Sequence, residues 1–220
     1  GTNLTNADLR EANLRGANLA GADLGAANLG FADLRQADLR GANLADANLA
    51  RAYLHQAQLD EASQLADKWR LVWRLSSTDP RRERLREQDL RGANLSELDF
   101  SGLDLRETDF SDAYLHGTKF SEANLTASIL TLAVLTQANF HKASLSQASF
   151  NRANLDGADF SDALLRGASL RECHLNDANF QRANLPQADL AHADLRRADL
   201  RQADLSLAQL QQSKLWQVNL

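Results

Sequence analysis

Five histidines (His55, His116, His141, His174, His192), the single cysteine Cys173 and 29 carboxylates are the side chains here able to do acid–base, nucleophilic or metal chemistry. Their spacing argues against each use. No two histidines stand at a metal-ligand interval with Cys or a carboxylate cluster beside them. No Ser/His/Asp or Cys/His set rises above the background of a chain rich in Ser and Asp. Gly16, Gly21, Gly41, Gly92 and Gly102 recur at one phase of a repeat, as turn residues do, and no phosphate-cradling loop is present. His174 falls twenty residues before Asp194, and His192 twenty after Glu172, which reads them as charge-ladder partners. Cys173 holds a slot otherwise filled by Ala, so it reads as a buried structural thiol. The expectation is a non-enzymatic chain with no catalytic residues, metal or cofactor.

What must position these residues is a five-residue phrase, Ala-(Asp/Asn)-Leu-x-x, as in Ala7-Asp8-Leu9 and Ala203-Asp204-Leu205. A period of five is neither the 3.6 of a helix nor the 2 of a strand. A fixed self-repeat implies a solenoid whose units bury apolar surface only against neighbours. The central apolar residue runs from Leu4 to Leu59 in 12 units and from Leu90 to Leu220 in 27, always Leu or Phe. One large and one small inward residue per unit suit a narrow core, and Asp/Asn with Gly suit corners.

Two patterns set the coil. Phe100, Phe120, Phe140, Phe160 and Phe180 recur every twenty residues, or four units. Charge agrees, because like charges stacked on adjacent strands are destabilising. Offsets of 5, 10 and 15 set Asp over Asp in the first run, whereas an offset of 20 sets Asp8 against Asn28 and Asn13 against Asp33. The same offset gives the ladder Glu122, Lys142, Asp162, Arg182, with Asp89 over Asp109 the one conflict. The fold expected is an all-β solenoid of four pentads, 20 residues, per coil. This phrase resembles the pentapeptide-repeat proteins, and the resemblance implies a right-handed quadrilateral β-helix.

Residues 60–89 break the phrase and shift its phase by one. Leu65, Trp69, Val72 and Trp73 recur at helical spacing, and residues 66–76 lack Gly and Pro, so one inserted α-helix of about three turns is expected. Ser77-Thr78-Asp79-Pro80 ends it. The organisation expected is therefore coils over 1–62, a helical insertion with a basic loop over 63–87, and coils over 88–220, wound as one rod. The phrase Lys68-Trp69-Arg70-Leu71-Val72-Trp73 resembles the helical insertion of cyanobacterial pentapeptide-repeat proteins. Arg81, Arg82, Arg84 and Arg86 look like a nucleic-acid patch, but residues 61–89 carry seven basic and six acidic groups, which reads as a salt-bridged stretch.

Tyr114, Ile129, Leu132 and Val134 occupy outward positions that are polar elsewhere. With Trp69, Val72 and Trp73 they form the candidate site, either as a dock for the helix or as an interaction patch for a protein partner whose identity the residues do not specify. Net charge is −5, and no apolar run reaches the ~20 residues of a membrane span, so neither nucleic acid nor membrane is expected as a partner. The resemblance also implies a second function, mimicry of duplex DNA toward a type II topoisomerase such as DNA gyrase. Interleaved Arg10, Arg15, Arg35, Arg40, Arg166, Arg196 and Arg201, and an end in repeat at Trp216–Leu220, count against it. Neither terminus reads as a cap, which points to a fragment or to end-to-end homo-oligomers. A soluble cytoplasmic protein is expected, or one of the thylakoid lumen or periplasm where a leader has been removed.

Overall fold

Each pentad in the computed structural model, which describes residues 1–220, turns one corner and contributes one short wall. The corner is a four-residue turn closed by the amide of the small residue on the carbonyl of the preceding Leu, as in Ala7 N to Leu4 O at 3.0 Å and Ala158 N to Leu155 O at 3.0 Å. Its third residue lies in the left-handed region. Gly takes that place at Gly16 (φ 66°) and Gly102 (φ 72°), but Glu11, Asp46 and Leu132 adopt the same conformation at φ 59°, 58° and 62°. Each such non-glycine residue costs roughly 1–2 kcal/mol. The cost is offset because the strained amide reaches the adjacent coil: Glu11 N donates to Gly30 O at 2.9 Å and Asp112 N to Thr131 O at 2.9 Å.

The Asp/Asn of the phrase has a local task. Its Oδ1 accepts the amide two residues on, as in Thr5 N to Asn3 (3.0 Å), Gly25 N to Asp23 (3.1 Å) and Ser161 N to Asp159 (2.9 Å). This bond bends the chain out of the wall and into the corner. The same residue then pairs in parallel with one in the next coil.

Those pairings measure the coil. Asn3 pairs with Asp23, Asp89 with Asp109 and Asp199 with Asn219, and all other pairs also join residues twenty apart except Asn43 with Gln64. Four pentads per turn is therefore the observed winding. Phe120 and Phe140 share a column, with ring centroids 5.0 Å apart and planes 6° off parallel. Phe140–Phe160 and Phe160–Phe180 stack at 4.9 and 4.8 Å, and Phe150 meets Phe140 and Phe160 edge-on. All seven of the core Phe residues from Phe100 to Phe180 are fully buried.

Several polar residues in the small inward slot are satisfied in the same way: the side chain donates to the carbonyl of a central residue one coil back. Thr108 Oγ1 bonds Leu85 O (2.5 Å), Thr118 Oγ1 bonds Leu95 O (3.0 Å), and Cys173 Sγ lies 2.9 Å from Phe150 O. Burial drives the Cys173 thiol up to about 12, as expected for a packing residue. Ser128 Oγ is the one buried side-chain atom without such a partner.

The chain forms two compact units, Gly1–Pro80 with Gly92–Asn94, and Arg81–Arg91 with Leu95–Leu220. Helix α1 (Asp67–Ser77) and a 3-10 turn (Pro80–Arg82) stand between the coil-forming segments. The helix begins after Leu65, not at it. Ser63 fills a small slot (2 % exposed), Gln64 pairs with Asn43, and Leu65 is the centre of a unit of six residues rather than five. The surplus residue is taken up in the corner. Asp60 Oδ1 there accepts the amides of Gly41 and Ser63, both at 2.9 Å, and lies 2.8 Å from Ser63 Oγ. On the far side, Leu85 is buried and is already an inward centre, one pentad ahead of Leu90.

Candidate interaction surface

Histidine geometry supports no catalytic relay. His141 presents a single ring nitrogen, Nδ1, to both Ser161 Oγ (2.9 Å) and Asp162 Oδ2 (3.8 Å). A relay needs opposite nitrogens for nucleophile and carboxylate. His116 does use both, Nδ1 to Thr136 Oγ1 at 2.7 Å and Nε2 to Glu97 at 3.8 Å. It stands on an open wall beside a carboxylate that is 72 % exposed, where nothing excludes water from a reacting group. No three His, Cys, Asp or Glu side chains converge as a metal site would require.

Charge is organised both along the chain and between coils. Seven Asp-Leu-Arg triplets form the same chelate, in which the guanidinium bonds both oxygens of the Asp two residues earlier: Asp8/Arg10, Asp33/Arg35, Asp38/Arg40, Asp89/Arg91, Asp104/Arg106, Asp194/Arg196 and Asp199/Arg201. Distances fall between 2.6 and 3.0 Å in Asp38/Arg40 and Asp89/Arg91 alike. The Arg40 and Arg106 guanidinium bonds hold the Asp38 and Asp104 carboxyls down at about 2. Of the charge pairs twenty residues apart, Arg182–Asp162 (2.6 Å) and Arg152–Glu172 (3.6 Å) form. His174 and His192 are not the ion-pair partners expected: Asp194 is taken by Arg196 and Lys214, and Glu172 by Arg152. The Asp89/Asp109 conflict is resolved by Arg91, which reaches both.

The basic tetrad is partly neutralised, Arg81 by Asp99 (3.4 Å) and Arg86 by Glu87 and Glu107 (3.0 and 2.9 Å). Arg84 and Arg86 line a shallow hollow of about 300 Å³ with Glu83, Asp104 and Arg106. Its carboxylates balance most of its cations, so it does not make a basic groove.

Of the helix members of the candidate site, Trp73 is bonded to a coil of its own unit and Val72 is buried. Val72 is 1 % exposed, and Leu71 and Leu75 are buried beside it. Trp73 Nε1 donates to Ala57 O (2.7 Å), Arg70 Nη2 to Ser63 O (2.6 Å), and His55 Nδ1 lies 2.5 Å from Ser76 O. Trp69 is half-buried and stacks its ring under the Lys68 ammonium at 4.9 Å. The tilt of α1 is therefore set by its bonds to the last coil of the first run.

The four remaining residues lie on one corner of the second unit. Tyr114 pairs with Val134, and Ile129 and Leu132 stand on either side of the turn that precedes Val134. Ile129 is 41 % and Leu132 48 % exposed. No Asp, Glu, Lys or Arg occurs between Glu122 and Lys142, while the adjoining coils set Asp109 against Ile129 and place Asp112 and Arg152 in the column of Leu132. Sequence reasoning missed further outward apolar side chains, among them Phe31, Leu164 and Leu207, 49 %, 49 % and 79 % exposed. Their signal was legible: each is an apolar residue in an outward phase of the repeat. Phe31 is accounted for by the Arg51 guanidinium 5.3 Å above its ring.

Among solved structures, a pentapeptide repeat protein from Nostoc PCC 7120 is 40 % identical, over 35 % of this chain and 64 % of its own, with a TM-score of 0.35. A pentapeptide repeat protein of the Arabidopsis thaliana thylakoid lumen is 34 % identical over 46 % and 66 % (TM-score 0.27). HetL, a Nostoc pentapeptide repeat protein involved in heterocyst differentiation regulation, is 28 % identical over 97 % and 90 % (TM-score 0.24). This chain thus spans just under two thirds of the length of the first two. No curated protein matches it. The model of pentapeptide repeats matches residues 1–30, 27–63 and 163–202, and that of the pentapeptide repeat region matches residues 84–160. With the phrase, the corner geometry and these matches in agreement, the chain belongs to the pentapeptide-repeat family.

Proposed function

We propose that this chain is a non-enzymatic protein-interaction module, a right-handed four-sided solenoid that presents the corner formed by Tyr114, Ile129, Leu132 and Val134 to a protein partner. The observation that carries this reading is the adjacent exposure of Ile129 and Leu132, at 41 % and 48 %, in positions where neighbouring coils place Ser149 and Arg152. Exposed aliphatic groups rimmed by polar residues mark contact sites more often than chance. Trp69, Val72 and Trp73 belong to the other unit, where Trp73 bonds Ala57 O, and are read as packing residues rather than as part of the presented surface. No helix of the chain is long and apolar enough to cross a membrane, and the partner is read as a protein.

The test is a pair of substitutions that copy residues already tolerated in the same columns, Ile129→Ser and Leu132→Gln. Binding to proteins captured from the source organism by the unaltered chain should fall at least about tenfold in the double variant. Unchanged binding with unchanged circular dichroism would refute the patch. The DNA-mimic reading is weaker, because the Asp-Leu-Arg chelates neutralise the carboxylate rows that a basic groove would grip. A gyrase supercoiling assay with purified protein separates the two, since strong inhibition favours mimicry.

A further inference from the structure

The coil that carries Ile129 and Leu132 stands between two coils of unlike charge. One coil back, Glu107, Asp109 and Asp112 occupy the columns of Ala127, Ile129 and Leu132. One coil on, the same three columns hold Gln147, Ser149 and Arg152. An acidic row therefore flanks the apolar centre on one side, and an acid-free row bearing a cation flanks it on the other. Asp112 and Arg152 share the column of Leu132, each one coil, or roughly 4.8 Å, from it. They adopt the same backbone conformation, at φ 60° and 61°. The Arg152 side chain stays 65 % exposed, and its contact with Glu172 is loose at 3.6 Å.

We propose that this corner is a self-association face, on which a second copy of the chain docks with its coils running in the opposite sense. The two-fold axis lies in the plane of contact, at the level of Leu132 and perpendicular to the direction in which the coils stack. Such an axis keeps each column opposite its own counterpart and exchanges the coil above Leu132 with the coil below. Leu132 then meets Leu132 and Ile129 meets Ile129, so the exposed aliphatic groups cover each other. Asp112 of each copy faces Arg152 of the other, which makes two reciprocal ion pairs two coils, or roughly 10 Å, apart. Asp109 faces Ser149 and Glu107 faces Gln147, so no acid meets an acid within one coil of the axis. Two coils out, Arg91 faces Arg171, but each already holds a carboxylate, Arg91 that of Asp89 and Arg171 that of Asp189. The other in-plane axis, along the stacking direction, would set Asp112 on Asp112 and Arg152 on Arg152, and opposed like charges cost affinity. The charges therefore select the antiparallel arrangement. A two-fold contact requires one self-complementary patch, and this corner supplies it. The inference rests on the reading of the corner as a contact site and names its occupant. Three coils of one wall span only about 15 Å by 10 Å at strand dimensions, so the dimer belongs with weak, concentration-dependent contacts.

Sedimentation equilibrium of the 220-residue chain from about 10 μM to about 1 mM reads the association. The weight-average mass should rise from 24.2 kDa toward twice that value with concentration, and less so in high salt. Arg152→Asp and Asp112→Arg should each weaken association by at least about tenfold, since each sets two like-charged pairs face to face. The double exchange should restore it, because the pairs are reciprocal. Arg152→Gln, which copies Gln212 of the same column, guards against misfolding and should also weaken the dimer. A monomer throughout, association indifferent to Arg152, or no rescue by the double exchange would each overturn the proposal. The contact site itself is judged separately. A monomeric chain whose Ile129→Ser, Leu132→Gln variant loses captured proteins keeps the site and loses this occupant. Self-association and capture both untouched by that variant would overturn the two readings together.

Discussion

Phe140→Leu probes the winding directly, because Leu is the residue that the repeat uses at most other centres. Phe140 is fully buried and touches three rings: Phe120 at 5.0 Å, Phe160 at 4.9 Å and Phe150 edge-on at 5.7 Å. An aromatic pair adds about 0.5–1.5 kcal/mol beyond its buried area. Leu retains part of the contact, and the walls can close only partly around the lost volume. The expected cost is about 2–4 kcal/mol. Phe100 sits at the end of the stack, with one looser partner at 5.6 Å and 17° and another at 6.4 Å and 57°. Phe100→Leu should cost about half as much, roughly 1–2 kcal/mol by the same rule. Urea unfolding followed by circular dichroism reads both. A double-mutant cycle sharpens the test: Phe140→Leu with Phe160→Leu should show coupling of about 1 kcal/mol, and Phe140→Leu with Phe100→Leu almost none. Equal penalties at Phe100 and Phe140, or coupling as strong between the distant pair, would refute the reasoning from stacking.

Three further outcomes follow from the polar geometry. The Asp38 and Asp104 carboxyls titrate at about 2 when folded against 3.8 when free. Their stabilisation is complete above the free value and is lost as pH falls through the folded one. Melting temperature should therefore hold between about pH 7 and pH 5 and drop between about pH 4 and pH 2, and Asp38→Asn with Asp104→Asn should flatten that fall. Cys173, 1 % exposed with its thiol at about 12, should react with a disulfide reagent at pH 8 only at the rate of unfolding; rapid native labelling would contradict its place in the core. Trp73→Phe keeps an aromatic ring, smaller than the indole, but removes the donor to Ala57 O. It should cost about 1 kcal/mol and speed amide exchange within α1, leaving exchange in the Phe140 coils unchanged.

The winding was legible in the chain because each pentad repeats the same inward pair, and because Phe100 through Phe180 mark every fourth unit. The helix was legible too, within a residue at either end. Leu65 was not, since its spacing to Trp69 and Val72 satisfies a helix as well as its spacing to Ser63 satisfies a six-residue unit. Only the backbone, through the Asn43–Gln64 pairing, separates the two. Charge pairing was read between coils, yet seven guanidinium groups turn back on their own chain. The Asp-Leu-Arg triplet was visible in the sequence, but its chelate depends on the corner, which points residues two apart in the same direction.

The six-residue unit at residues 60–65 says something about mutation that no single contact does. In a flat strand an added residue turns every following side chain inside out. Here the surplus is swallowed by a bend, with Asp60 knotting the slack, and Gln64 beyond it still pairs in parallel with Asn43. Genetic accidents should therefore be graded by where they fall. One extra codon at a bend is survivable, the same codon in a wall is ruinous, and whole turns can be gained or lost without disturbing their neighbours.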